Sequence, residues 1–237
     1  MIKKFYLAPI VFAISVVVLL SVWAAMSPEG LVRLFDQKGY SPVELATIPF
    51  YAAIIPVVWW KCPFGGARWR RVLLCAGVSC VAFMAVCKEL DWHLWAFTQL
   101  WPDVVDAFKG TPFKMRFLTT AWAPFSAKVF VIAYFGLFFG VFAAMLAYYA
   151  VPLIVGFFKR DAVAWSVCFM GGSGVMVQIF DRLPAWWRHA HGLKKGAIDA
   201  FGSFCTCFEE GGELLIALFA LLAIIQANKI INAKNQR

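Results

Sequence analysis

Long apolar segments dominate this 237-residue sequence and leave little room for a water-soluble fold. A helix of about 20 predominantly apolar residues is long enough to cross the hydrocarbon core of a bilayer. Segments near that length occur at residues 5–26, 45–60, 72–90, 129–150, 162–180 and 211–231. Hydrophobic residues make up 62% of the chain and charged residues only 15%, so a soluble domain could not cover this surface. We therefore expect an all-α, multi-pass membrane protein: a bundle of about six helices forming a single integral membrane domain over residues 1–237.

Three of these segments have features that predict how the helix is processed or shaped. The first follows the basic start MIKK, as a secretory signal would, but it exceeds the apolar core of about 7–15 residues that such signals have. An uncleaved helix is therefore favoured. The second contains Pro49 and Pro56, which predict a kink. The fourth stays uncharged as far as Phe158, so the sequence predicts a helix that is either tilted or broken at Pro152.

Basic residues indicate the orientation of the chain. Lys and Arg are concentrated at the N-terminus and in short segments after the second, fourth and sixth spans. Because cytoplasmic loops are enriched in Lys and Arg, both termini are expected in the cytoplasm and the chain in a cell membrane, such as the bacterial inner membrane. The net charge of +9 has the same explanation, so no nucleic-acid partner is inferred. The expected partners are the bilayer, anionic lipid, and another membrane protein or a second copy of the chain.

Acidic residues are concentrated on the other side of this topology. Of the 13 Asp and Glu residues, only Asp161 is placed on the cytoplasmic side. Spans three, five and six carry polar groups where they should meet the outer interface at one depth. The sequence therefore predicts one polar site at the outer face, with these candidate residues: Glu89, Asp91, His93, Arg116, Asp181, Glu209, Glu210 and Glu213.

The segment KELDWHLW ends the third span and leaves two geometries open. If the helix continues, Glu89 and His93 share one face and Asp91 points elsewhere; if the chain is extended, all three point the same way. Either geometry supplies two ligands for a metal. The alternative is a polar membrane edge at which Glu89 pairs with Lys88 or Arg116.

The segment CFEEGGELL opens the sixth span and places several carboxylates on one helical face. Glu209 and Glu213 are four residues apart, and Glu210 and Glu213 three apart. The helix dipole explains acidic residues in a first turn, but Glu213 lies deeper, where a carboxylate is costly unless it is protonated, paired or bound to a metal. Gly211 and Gly212 would allow another helix or a ligand to approach closely. The ligands predicted for a divalent metal cofactor are Glu89, Asp91, His93 and Glu213.

Other polar and small-residue motifs have competing explanations. His189 and His191 form an H-x-H that would bind metal only in extended geometry, and an interfacial segment touching anionic lipid explains their surroundings equally well. Lys114 and Arg116 would neutralise carboxylates or hold a phosphate. Small residues in spans four and five predict close helix packing: Gly136, Gly140, Ala144, Gly171, Gly172 and Gly174.

The segments ELDWH, DRLP and EEGGEL follow or open spans in this order. In this respect the second half of the chain resembles a group of uncharacterised bacterial multi-span membrane proteins. The resemblance implies the multi-pass fold and brings no established activity with it.

Two functions are compatible with these patterns, beside a purely structural subunit in which the acidic residues pair with basic ones. The first is an integral membrane protein whose outer acidic and histidine site binds a cation or a lipid head group, in transport, sensing or support of a partner. The alternative is a metal-dependent hydrolase or transferase acting on membrane lipid, in which carboxylates and His hold a metal that activates water. The sequence alone does not decide whether the protein is an enzyme.

Overall fold

The structure, a computed structural model, describes residues 6–36, 41–108, 112–191 and 200–235, and these residues are mostly helical and contain no strand. Five long helices precede the C-terminal helix: α1 (Leu7–Ala25), α3 (Pro42–Lys61), α4 (Arg68–Glu89), α8 (Phe125–Phe158) and α9 (Ala162–Ala190). The last helix is α10 (Ala200–Asn235). Short helices connect them: α2 (Pro28–Phe35), α5 (Trp92–Leu100), α6 (Pro102–Phe108) and α7 (Met115–Leu118).

Five helices are long and apolar enough to cross a membrane, namely α1, α3, α4, α8 and α9. They overlap the first five predicted spans, so the all-α class is confirmed, and the five helices are compatible with a multi-pass membrane protein. The sixth predicted span, residues 211–231, lies within α10. Within the described residues α10 is not one of the five, so a six-span bundle with cytoplasmic termini stays a prediction.

The length of the fourth predicted span left two alternatives for α8, a tilted helix or a helix broken at Pro152. Helix α8 runs without interruption through Pro152 to Phe158, so the predicted break at this proline is wrong. A proline in a long apolar helix is tolerated where neighbouring groups re-satisfy the freed backbone. At 34 residues α8 is about 51 Å long. Because a bilayer core is about 30 Å thick, this length favours the tilted alternative.

Helix α9 does not end where its apolar segment ends. It continues to Ala190, so Asp181 and Arg182 lie within a helix. Helix α10 already begins at Ala200, so most of the interval between the fifth and sixth predicted spans, residues 181–210, is helical where the structure describes it. Residues 192–199 lie outside the described part of the chain. Hydropathy marks where a helix leaves the membrane, whereas helical hydrogen bonding continues into the interface.

Helix α10 occupies the centre of the bundle and packs against α9, α3, α2 and α1. Near its start, Gly211 lies against Leu19 of α1, whereas Phe219 packs with Ala8, so these two helices are antiparallel. Helix α9 is also antiparallel to α10, since Ser166 near its start donates a hydrogen bond of 2.8 Å to Gln226. Helix α4 packs on α3, and α8 contacts α4 and α9.

Glycines allow close helix contacts at some of the expected positions. A Cβ atom built on Gly212 would lie 2.6 Å from Val177 Cγ2, and one on Gly211 would lie 2.5 Å from Leu19 Cδ2. Close helix packing at these two positions is therefore confirmed. At four glycines in α8 and α9, an added Cβ atom would meet no other atom within 4 Å: Gly136, Gly140, Gly171 and Gly172. The close helix packing predicted at these four positions is therefore wrong. Helices α8 and α9 approach closely at Gly156 instead, where a Cβ would lie 2.9 Å from that of Ala164.

Candidate functional site

Three glutamates from two helices converge at the end of α4. The carboxylates of Glu89, Glu210 and Glu213 offer oxygen atoms that all lie within 4.8 Å of one another, and we call these residues the carboxylate cluster. Glu89 is the last residue of α4, while Glu210 and Glu213 lie three residues apart on α10. Because residues three apart on a helix are neighbours on its surface, α10 presents both carboxylates to α4.

Lys88 places its ammonium group within this cluster. Its Nζ atom lies 2.5 Å from both carboxylate oxygens of Glu213 and 3.3 Å from Oε1 of Glu89. The sequence-based alternative in which Glu89 pairs with Lys88 is thus confirmed. In addition, the same ammonium group bridges α4 to α10. Charge-assisted hydrogen bonds of this kind are about twice as strong as neutral ones.

The cluster is shielded from solvent unequally. The Glu89 side chain is 4% exposed and that of Glu213 13% exposed, whereas the Lys88 side chain is 53% exposed. Lys88 therefore reaches the carboxylates from the open side. With all four groups ionised, three carboxylates and one ammonium leave two negative charges uncompensated within the cluster. Such charges in a poorly solvated position require protons or an additional cation.

Tyr51 braces the helix that carries two of the carboxylates. This buried residue of α3 donates a hydrogen bond of 3.2 Å from its hydroxyl to the main-chain carbonyl of Glu213. Helix α3 begins firmly upstream, because Ser41 and Glu44 form a reciprocal capping box. The cluster is therefore built on three packed helices, α3, α4 and α10.

The turn after α4 directs the next two candidate residues away from the cluster. Asp91 has a left-handed conformation with φ of 51°, which ends α4 and starts α5 in a new direction. Its side chain is exposed. Neither of the two geometries considered for this segment is present, since the chain is neither one continuous helix nor extended.

His93 faces an aromatic cluster. Its ring stacks on Tyr134 at a centroid distance of 5.4 Å and meets Phe113 edge-on at 4.7 Å. Its Nδ1 atom lies 3.3 Å from the main-chain oxygen of Cys87. Burial lowers the pKa of His93 below its ordinary value of 6.5. His93 therefore packs between α5 and α8. Among the described residues, it does not belong to the group of possible metal ligands formed by the carboxylate cluster.

The remaining candidates are distributed around the cluster. Glu209 lies on α10 next to Glu210 and is half-buried. Asp181 does not join the carboxylate cluster itself. Arg116 lies exposed on α7, where its main-chain carbonyl accepts hydrogen bonds from Thr119 and Thr120.

The H-x-H motif lies at the end of α9. His191 places Nδ1 3.0 Å from the main-chain oxygen of Trp187, and its ring lies 3.8 Å from the Trp187 ring. His189 belongs to the last helical turn, so the extended geometry required for metal binding by this pair is absent.

The sequence reasoning missed the central position of Lys88 and the contribution of Tyr51. A signal for Lys88 exists in the sequence, because it is a lone basic residue at the end of an otherwise uncharged run that starts after Arg71. An isolated charge there needs a partner of opposite charge. The partner Glu213 is 125 residues away, and helix pairing cannot be obtained from local spacing.

Comparison with known proteins gives no relative for this chain. No family model matches it, and searches of curated proteins and of solved structures find no match. Functional inference therefore depends on the geometry of the site.

Proposed function

We propose that this protein is a multi-pass membrane protein that binds a hard cation at the carboxylate cluster, in exchange for the ammonium group of Lys88. Uptake and release of a cation at such a site would serve transport or sensing. The observation that carries the proposal is the convergence of the oxygen atoms of Glu89, Glu210 and Glu213 around a tethered positive charge.

Charge balance supports the exchange. With all three carboxylates ionised, the cluster would hold two more negative charges than Lys88 neutralises, and Glu89 and Glu213 are largely removed from water. A divalent cation in place of the ammonium would reduce the uncompensated charge by one. Since buried carboxylates are stabilised by a counter-charge, the cluster favours a cation of higher charge than the lysine.

The position of Lys88 supports a direct competition. Its Nζ atom contacts both Glu213 and Glu89, so it fills the space that a cation ligated by those carboxylates would occupy. The two positive charges therefore exclude each other. Because about half of the Lys88 side chain is already exposed, its ammonium group can move into solvent without unfolding a helix.

The ligand type narrows the choice of cation. Carboxylate oxygens suit the hard ions Ca²⁺, Mg²⁺ and Mn²⁺, whereas softer metals favour imidazole and thiolate. The grouped ligands within the described residues are glutamates alone. This composition also gives no specific support to the enzymatic alternative, which stays a prediction.

The membrane arrangement of the proposal includes six spans with α10 as the sixth and both termini in the cytoplasm. The antiparallel pairing of α10 with α1 supports this arrangement, because it places the start of α1 and the second half of α10 at the same end of the bundle. The cluster then lies near the opposite, outer end.

Calorimetric titration of the purified full-length protein with Ca²⁺ and with Mg²⁺ tests the proposed function. The wild type should bind one cation per chain, and the isosteric variant E89Q/E210Q/E213Q should bind none. The control variant E29Q/D103N/D106N removes three exposed acidic groups elsewhere and should bind as the wild type does. Size-exclusion profiles establish that the variants are folded. No binding to folded wild type, or equal binding to the triple cluster variant, would overturn the proposal.

A further inference from the structure

A groove lies between the end of α8 and the start of α9, away from the carboxylate cluster. Its volume is about 820 Å³. Residues Tyr149, Leu153 and Gly156 line it at intervals of three to four positions, so one face of α8 forms its floor, and Lys159 and Arg160 line it from the turn after α8. From Tyr149 to Gly156 this face extends about 10 Å along the helix.

The walls of the groove are held in place by contacts between the two helices. Gly156 and Ala164 bring the backbones close together. The indole N–H of Trp165 donates a hydrogen bond of 2.9 Å to the main-chain oxygen of Phe157, and the two rings stack at 4.8 Å. The groove is therefore a built feature of the helix pair.

One end of the groove is basic and the rest is apolar. Lys159, Arg160 and Asp161 line this end, and both basic side chains are exposed. The nearby carboxylate of Asp161 accepts hydrogen bonds from the main-chain N–H groups of Val163 and Ala164, which engages its Oδ1 atom in capping α9. Two basic side chains and one acidic side chain leave this end of the groove with a net charge of +1. The apolar lining consists of Pro152, Leu153, Val155, Ala162, Val163 and Ala164.

The surroundings of the groove are those of a helix surface in contact with lipid. Both α8 and α9 are long and apolar enough to span a membrane. Beside the groove, Val151, Ile154 and Phe158 are exposed by 69%, 58% and 79%.

We propose that this groove binds an anionic phospholipid, with its phosphate at Lys159 and Arg160 and an acyl chain along α8 towards Tyr149. The basic end complements the charge of the phosphate, and the apolar floor provides the contact area that a free phosphate ion could not use. This assignment does not depend on the cation site.

Native mass spectrometry of the full-length protein with added phosphatidylglycerol or phosphatidylcholine measures the proposed binding. The wild type should retain the anionic lipid in preference to the zwitterionic one. Because each basic residue at an anionic lipid surface contributes about a fivefold effect, K159Q/R160Q should weaken retention about 25-fold. The variant L153W narrows the apolar floor while keeping both charges and should also weaken retention.

The variant K114Q/R182Q removes two exposed positive charges outside the groove and serves as the control. It should change retention by less than about twofold, which would separate a defined site from general electrostatic attraction. Equal retention by wild type and K159Q/R160Q, or an equal loss in the control, would overturn the proposal. Displacement of phosphatidylglycerol by millimolar inorganic phosphate would also overturn it, because the phosphate alone would then account for binding.

Discussion

Replacement of Lys88 by methionine removes the ammonium group from the carboxylate cluster while keeping a flexible side chain of similar length. Breaking a fully buried ion pair costs about 3–5 kcal/mol, whereas an exposed pair contributes only about 0–1 kcal/mol. Lys88 is 53% exposed and its two partners only 4% and 13% exposed, so the pair lies between these limits. We expect K88M to lose about 2 kcal/mol, which lowers the unfolding temperature by about 4–8 °C for a chain of this size.

Addition of Ca²⁺ should reverse this loss. A ligand at 100 times its dissociation constant stabilises the folded state by about 2.7 kcal/mol. In K88M the cation enters an unoccupied cluster, whereas in the wild type part of the binding free energy is used to displace Lys88. The rise in unfolding temperature with Ca²⁺ should therefore be larger in K88M than in the wild type.

Thermal unfolding of detergent-solubilised protein, with and without saturating Ca²⁺, measures both effects. The variant K114M removes an exposed lysine outside the cluster and should behave as the wild type in both conditions. Unfolding of K88M at the wild-type temperature would refute the energetic importance of the ion pair. A Ca²⁺ shift no larger than that of the wild type would refute the competition between cation and lysine.

Two further perturbations test the packing around the cluster. Burial lowers the pKa of His93 below 6.5 in the folded protein. As the pH falls below 6.5, the imidazole is therefore protonated more readily in the unfolded chain than in the folded one, and the free energy of unfolding decreases. The unfolding temperature should therefore drop less steeply from about pH 7 to about pH 5 in H93F than in the wild type; parallel curves would contradict this. G212A should cost about 1–3 kcal/mol because the new Cβ lies 2.6 Å from Val177 Cγ2, as chemical unfolding can measure. The control G136A meets nothing within 4 Å and should be neutral or stabilising by up to about 1 kcal/mol; equal losses would contradict the close approach.

The membrane character and the positions of the long helices follow from the sequence because apolar length is a local property. Helix ends were harder to predict. The prediction located the end of α9 near residue 180, but the helix continues to Ala190 because backbone hydrogen bonding does not require apolar side chains. The same local reasoning expected small residues at Gly136 and Gly140 to mark helix contacts, although the contact between α8 and α9 occurs at Gly156.

The candidate site was predicted in part. Glu89 and Glu213 were expected to meet because both lie where an apolar span meets polar sequence, and they do meet, together with Glu210. The predicted ligands Asp91 and His93 lie elsewhere, because the left-handed turn at Asp91 sends α5 towards the aromatic side chains of α8. A single residue in that conformation redirects the chain, and spacing alone does not reveal it.

The central claim is that a cation and Lys88 compete for the carboxylate cluster, and the chemical reactivity of the Lys88 amine tests it most directly. Purified protein is treated briefly with an acylating reagent, and modification of Lys88 is quantified by peptide mass spectrometry across a Ca²⁺ titration, with Lys114 as the internal reference. The account predicts that modification of Lys88 increases with Ca²⁺ while that of Lys114 stays constant, since the displaced amine enters solvent. Modification of Lys88 that is unchanged or reduced at saturating Ca²⁺ would contradict it.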